Sequence, residues 1–238
     1  MHTIETVEVL GNPMEVFVFA PQGGGPHPGI VLAQHIPVGH TGIENDEFTL
    51  AAGERFAADG YVVAAPFIFH WWPKDADIQV KRDESRDDWM AADMRAAFDV
   101  LRAREDVDSE RIGVVGHCWG GRVAWIAACR IPELAACATF YGGNVKVAKG
   151  DGSAPIDEAH RIRCPVVGFF GNDDQNPSPA DVDDYSAALT KAGVEHVFHR
   201  YDGAGHAFQN FPAPERYREA QSEDAWQKVL EFLAEKLK

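Results

Sequence analysis

The chain of 238 residues is 45% hydrophobic and 25% charged, the make-up of a globular protein with one sizeable core, and residues 1–238 read as a single domain. Its formal net charge of −15 repels phosphate backbones and anionic bilayers, so neither nucleic acid nor a membrane is expected as a partner. The opening MHTIETVEVLGNP lacks the basic-then-apolar order of a secretory leader, and no later segment is apolar enough to span a bilayer, which points to the cytoplasm.

In chain order, TIETVEVL and MEVFVFA alternate apolar and polar residues around GNP, the pattern of an antiparallel hairpin. The character then changes. GIVLAQ (29–34), YVVAAP (61–66), RIGVVG (111–116), CATFYG (137–142) and VVGFFG (166–171) are short, β-branched and almost wholly apolar, as strands buried on both faces are. VEHVFHRY (194–201) is more mixed and suits a place near a sheet edge.

Helices are expected between these strands. One covers 44–59, with Asn45 as its N-cap and Gly60 as its stop. A second covers 86–104, with Met90, Met94, Ala97, Phe98 and Leu101 on one stripe, and two more cover 120–130 and 179–192. A C-terminal helix carries Trp226, Val229, Leu230, Leu233 and Leu237 at helical spacing. The acidic residues Asp87 and Asp88, and the run 181–184, read as solvated helix starts. Strands alternating with helices imply right-handed crossovers and a doubly wound sheet. The stretches 67–85 and 143–163 are expected to be long loops of the kind that carry function.

The chemistry concentrates in GHCWGG, residues 116–121, directly after the strand RIGVV. A residue on a tight strand-to-helix turn needs small neighbours, and Gly116, Gly120 and Gly121 supply them around Cys118. The turn would lift the sulfur out of the sheet to a helix N-terminus, where the dipole and free N–H groups favour a thiolate. The Trp119 N–H would serve as one oxyanion donor, and the loop QHIPVG would supply the other at Ile36. Such a nucleophile needs a base and an orienting acid. His206 in YDGAGHAFQN and Asp174 in FFGNDDQNPSP each follow a different strand, giving the order nucleophile, acid, histidine, with Asp173 as competitor for the acid. Cys129, Cys137 and Cys164 lie in apolar surroundings and read as structural, reduced thiols. His40, His70, His196 and His199 form no metal-ligand pattern.

GHCWGG, GNDD and GAGHAF, with VLAQHIPVG, a helix and DGYVVAAP ahead of them, resemble the dienelactone hydrolase family of the α/β-hydrolase superfamily over nearly the whole chain. The resemblance implies a mostly parallel sheet of about eight strands flanked by helices, after an N-terminal antiparallel hairpin. It also implies hydrolysis of an ester-type carbonyl, in particular an enol lactone, through an acyl-enzyme on Cys118 and without cofactor or metal. Family members that cleave dienelactone carry a glutamate after the glutamine of the oxyanion loop, where this chain has His35. They hold the substrate carboxylate with two arginines, at places filled here by FIFHWWP and by Asn210, which leaves Lys81, Arg82 or Arg86 as stand-ins. A neutral or more apolar ester follows as the expected substrate of a monomer or homodimer.

His35 reads either as a partner of the sulfur or substrate, or as a loop histidine tied to backbone. Trp71 and Trp72 either line a pocket mouth or pack their loop down, whereas Trp89 reads as core. Two rivals share the same residues: a thioesterase or acyltransferase, and a non-catalytic thiol sensor or binding module.

Overall fold

The computed structural model describes residues 2–37 and 41–238. Among the described residues eight strands form one sheet: β1 His2–Val9, β2 Asn12–Phe19, β3 His27–Ala33, β4 Val62–Pro66, β5 Val107–His117, β6 Ala136–Phe140, β7 Val166–Gly171 and β8 His196–Tyr201, in the order β1-β2-β4-β3-β5-β6-β7-β8. β1 and β2 run antiparallel, β2 joins β4 antiparallel, and every pairing from β4 to β8 is parallel. β4 and β7 are buried at every position, as their apolar runs require, while the two edges β1 and β8 keep the mixed pattern of half-covered strands.

The hairpin turn is Leu10–Gly11 rather than GNP, because Val9 already pairs with Asn12. Both turn residues have positive φ (48° and 83°), the mirror-image turn whose twist matches that of the strands it joins.

The helices are α1 Glu47–Ala58, α2 Ile78–Glu84, α3 Asp87–Arg102, α4 Trp119–Arg130, α5 Pro179–Ala192 and α6 Glu219–Leu237. α1 and α6 cover one face, where Phe56 meets Trp226 at 4.6 Å. α3 and α4 pack together on the other, joined by α5 through Tyr185 against Trp125. Asp46, not Asn45, caps α1, its side chain accepting from the Thr49 N–H, because Ile43–Asn45 first makes a 3-10 turn.

Two expected loops contain helix. α2 interrupts 67–85, and Pro155–Arg161 forms a 3-10 segment within 143–163. Asp87 is not solvated: it is buried against the Arg122 guanidinium in a bidentate pair (2.7 and 3.1 Å). Asp181 closes a capping box with Ser178 at the start of α5.

Under the carboxyl edge of the sheet lies a column of flat rings. His117, Phe140, Phe169 and His199 are register partners on β5 to β8, stacked at 4.3, 4.4 and 5.2 Å. Burial holds the His117 pKa down near 3, so this ring is a neutral packing element.

Candidate active site

β5 ends and α4 begins at Cys118, whose backbone takes φ 55° and ψ −120°, a conformation that L-residues adopt only under constraint. The constraint is visible at two glycines. A Cβ on Gly116 would lie 1.9 Å from the Gly120 carbonyl oxygen, and one on Gly120 would lie 2.2 Å from that of Ala33. The turn therefore closes tightly enough to press α4 onto the end of β3. The Cys118 N–H is satisfied by the Phe140 carbonyl at 2.9 Å, and the sulfur, half-buried at the N-terminus of α4, accepts from the Trp119 N–H.

Asp174 and His206 arrive from the ends of β7 and β8. The two following loops are stitched together by Asn172 N–H to the Tyr201 carbonyl (2.9 Å) and Asp173 N–H to the Ala204 carbonyl (3.0 Å). That stitching sets His206 beside Asp174: Nδ1 donates to Asp174 Oδ2 at 2.9 Å, and Nε2 lies 3.0 Å from Cys118 Sγ. Asp174 is 3% exposed and also accepts the Asn176 N–H (2.8 Å), whereas Asp173 is exposed. Tyr141 packs edge-on against the His206 ring at 5.5 Å.

Burial opposes charge on both ring and sulfur, but their mutual contact outweighs it. The thiol falls from 9.0 to about 7, through the hydrogen bond and charge of His206 and a smaller contribution from His35. The imidazole rises to about 10, held by Asp174 and Cys118. Between those values the pair is a thiolate beside an imidazolium, which is a nucleophile with its proton donor already in place. Burial pushes Cys129, Cys137 and Cys164 well up, leaving them protonated and inert.

A cavity of about 280 Å³ opens over the sulfur, lined by Cys118, Trp119, His206 and Ile36 together with α2 and the 143–152 loop. The model of the dienelactone hydrolase family matches residues 14–237. The chain belongs to that family. Its relatives include a Methylorubrum extorquens protein provisionally named a carboxymethylenebutenolidase, 30% identical over 89% of this chain and 73% of its own length. A Synechocystis protein of the same provisional name is 28% identical over 99% of this chain and 97% of its own. Among solved structures, a protein from Klebsiella pneumoniae provisionally named a dienelactone hydrolase matches with TM-score 0.85, at 25% identity and 98% coverage of both chains.

Within the family frame, the wall of the cavity departs from what the sequence suggested. Trp71 and Trp72 do not line it. Trp71 stacks on Trp89 at 4.6 Å and donates its indole N–H to Asp93, which also holds His70, while Trp72 donates to Glu84. Buried indoles need acceptors, and these carboxylates draw the loop against α2 and α3, away from Cys118.

His35 faces a different groove, where it bonds Asp46 Oδ1 at 2.9 Å and packs on Phe48, and Asn210 lines that same groove. Of His35, Trp71, Trp72 and Asn210, none lines the cavity over Cys118. Among the stand-in cations, Lys81 is wholly buried, donating to Thr41 Oγ1 and the Lys74 carbonyl, and Arg86 is taken by Asp88 and Asp151. Arg82 does line it, beside Gln79, Asp83, Asn144, Lys149 and Asn176, which the sequence did not single out. His196 bonds Ser186, and His40 lies outside the described residues, as do Val38 and Gly39 of the loop QHIPVG.

Proposed function

We propose that the chain hydrolyses an ester or lactone through an acyl-enzyme on Cys118, with His206 and Asp174 completing a triad. The reading rests on one observation: a sulfur at a strained helix N-terminus, 3.0 Å from an imidazole whose other nitrogen is held 2.9 Å from a buried carboxylate, at the base of a cavity. Family membership makes the chain a hydrolase of ester-type substrates.

In this mechanism the Cys118 thiolate attacks the carbonyl carbon, and the developing oxyanion is stabilised by the backbone N–H groups of Trp119 and Ile36. The His206 imidazolium protonates the leaving oxygen as the C–O bond breaks. The neutral ring then takes a proton from water, whose oxygen attacks the thioester and releases the acid, returning the sulfur as thiolate. Asp174 orients the imidazole and stabilises its charged form throughout.

The test is turnover of a small activated aryl ester, in reducing buffer, by the wild type and by Cys118→Ala. Activity that falls to background in the variant supports the reading. Equal activity in both removes it, and a reactive but catalytically silent Cys118 would favour the thiol-sensor alternative.

A further inference from the structure

Two backbone segments border the cavity at the reacting sulfur. One is the turn after β5 that carries Cys118 and Trp119; the other follows β3 and carries Ile36. At their base they touch, since a Cβ on Gly120 would lie 2.2 Å from the Ala33 carbonyl oxygen and 2.8 Å from that of Gln34. Gln34 also ties its segment to the Thr41 carbonyl, donating from Nε2 at 2.6 Å.

The start of α1 packs against both segments from outside the cavity. The Phe48 ring lies 4.9 Å from that of His35 and 5.0 Å from that of His117, edge-on to the latter. His35 directly precedes Ile36, and His117 directly precedes Cys118. Asp46, the N-cap of α1, holds His35 from the same helix end: Oδ1 accepts from His35 Nε2 at 2.9 Å and from the Thr49 N–H at 3.2 Å. Burial opposes the charge on Asp46, but the bonds from His35 and Thr49 hold its pKa below the usual carboxylate value, so it accepts and His35 Nε2 carries the proton. His35, Asp46, Phe48 and His117 are all buried, and none of them lines the cavity over Cys118.

We propose that Asp46 and Phe48 are positioning residues that set where the Ile36 N–H stands relative to the Cys118 sulfur, so that the start of α1 determines how well the oxyanion is held. The inference rests on the hydrolytic reading above. Asp46 acts through His35, one residue ahead of the donor, and Phe48 spans the residues ahead of both donor and nucleophile. An N–H stabilises an oxyanion only over a narrow range of distance, and its displacement is felt in kcat rather than KM, because the charge exists only in the transition state.

The test separates the oxyanion from the sulfur. Asp46→Ser keeps an N-cap acceptor for the Thr49 N–H, but its hydroxyl is too short to hold His35, whereas Asp46→Asn keeps both bonds. Three reactions are followed at about pH 8.5, between the thiol and imidazole values, where the wild-type sulfur is thiolate. Hydrolysis of para-nitrophenyl butyrate puts negative charge on the former carbonyl oxygen. Addition of the thiolate to trifluoroacetone does the same, since a C–S bond forms, the carbonyl electron pair moves to oxygen and nothing leaves. Exchange with dithiodipyridine forms an S–S bond and expels thiopyridone, with no oxygen involved. Ketone binding is read as protection of the sulfur from that exchange.

In Asp46→Ser, kcat is expected to fall on the order of tenfold with KM within about twofold, and ketone binding to weaken by a similar factor. The exchange rate without ketone should stay within about twofold of wild type. Asp46→Asn should restore kcat and ketone binding, and Phe48→Leu should reproduce the pattern of Asp46→Ser. If all three reactions fall together in the folded Asp46→Ser protein, the pair acts on the sulfur and the positioning role is overturned. If ester cleavage and ketone binding match the wild type in both Asp46→Ser and Phe48→Leu, the positioning role falls and the hydrolytic reading stands. If the wild type cleaves no ester, yet Asp46→Ser weakens ketone binding with exchange unchanged, the hydrolytic reading falls and the positioning role stands.

Discussion

The ionisation of Cys118 offers the sharpest check on the site. Replacing His206 with Gln removes the hydrogen bond and positive charge that lower the thiol, and leaves the burial that raises it. The wild-type shift, from 9.0 to about 7, corresponds to about 2.7 kcal/mol, so the variant should titrate at or above the ordinary thiol value. The sign follows directly: a depressed thiol pKa means the thiolate is present above pH 7 in the wild type and is lost as pH falls through it. At pH 7 the thiolate fraction should drop from about half to roughly 1% in the variant. The observed rate falls less, because a thiolate of higher pKa is the stronger nucleophile by about tenfold over such a shift. The informative quantity is therefore the midpoint of iodoacetamide alkylation against pH, with mass spectrometry to assign the product to Cys118. A wild-type midpoint near 9, or the same midpoint in both proteins, would refute the ion-pair account.

Three further outcomes follow from the geometry. Asp174→Asn should lower kcat/KM on the order of a thousandfold or more, while Asp173→Asn should leave it within about twofold, as aryl-ester kinetics will show. Gly116→Ala forces a methyl group into the Gly120 carbonyl, so it should cost about 1–3 kcal/mol and lower the thermal midpoint by several degrees, measured by calorimetry. Trp71→Phe should leave KM unchanged but destabilise the fold by about 1–3 kcal/mol in urea unfolding, because buried Asp93 loses an N–H donor.

Much of this molecule could be read ahead because its constraints are local. Cys118 was marked by glycines that the turn requires at 116 and 120, and the all-buried strands announced themselves by unbroken apolar runs. Pro179–Ala192 matches its expected bounds because Ser178, Pro179 and Gly193 carry their own start and stop signals. α2 was missed for the opposite reason. IQVKRDE has no apolar stripe, and the side chain it buries is Lys81, held by the Thr41 hydroxyl far back in the chain and by the Lys74 carbonyl in the preceding loop. The cavity wall was equally hidden: Asn144 and Asn176 meet only through an N–H to Oδ1 bond of 3.1 Å between two loops, and no periodicity encodes such a meeting. Trp71 and Trp72 left two readings open because an aromatic in a loop looks the same in sequence whether its indole finds a ligand or a carboxylate.

The division of labour between sheet and α2 bears on how such a protein can change over evolutionary time. Cys118, Asp174 and His206 hang from the ends of β5, β7 and β8, and at the ends of β5 and β7 a methyl group added to Gly116 or Gly171 would strike backbone. The outer side chains of α2 that border the cavity, Arg82 and Asp83, are exposed, and substitutions at such positions typically shift stability by less than about 0.5 kcal/mol. Substitution in this one short helix can thus reshape the rim of the cavity while close backbone packing holds the turn that carries Cys118. Descendants of one ancestor could diverge in diet without relearning how to fold.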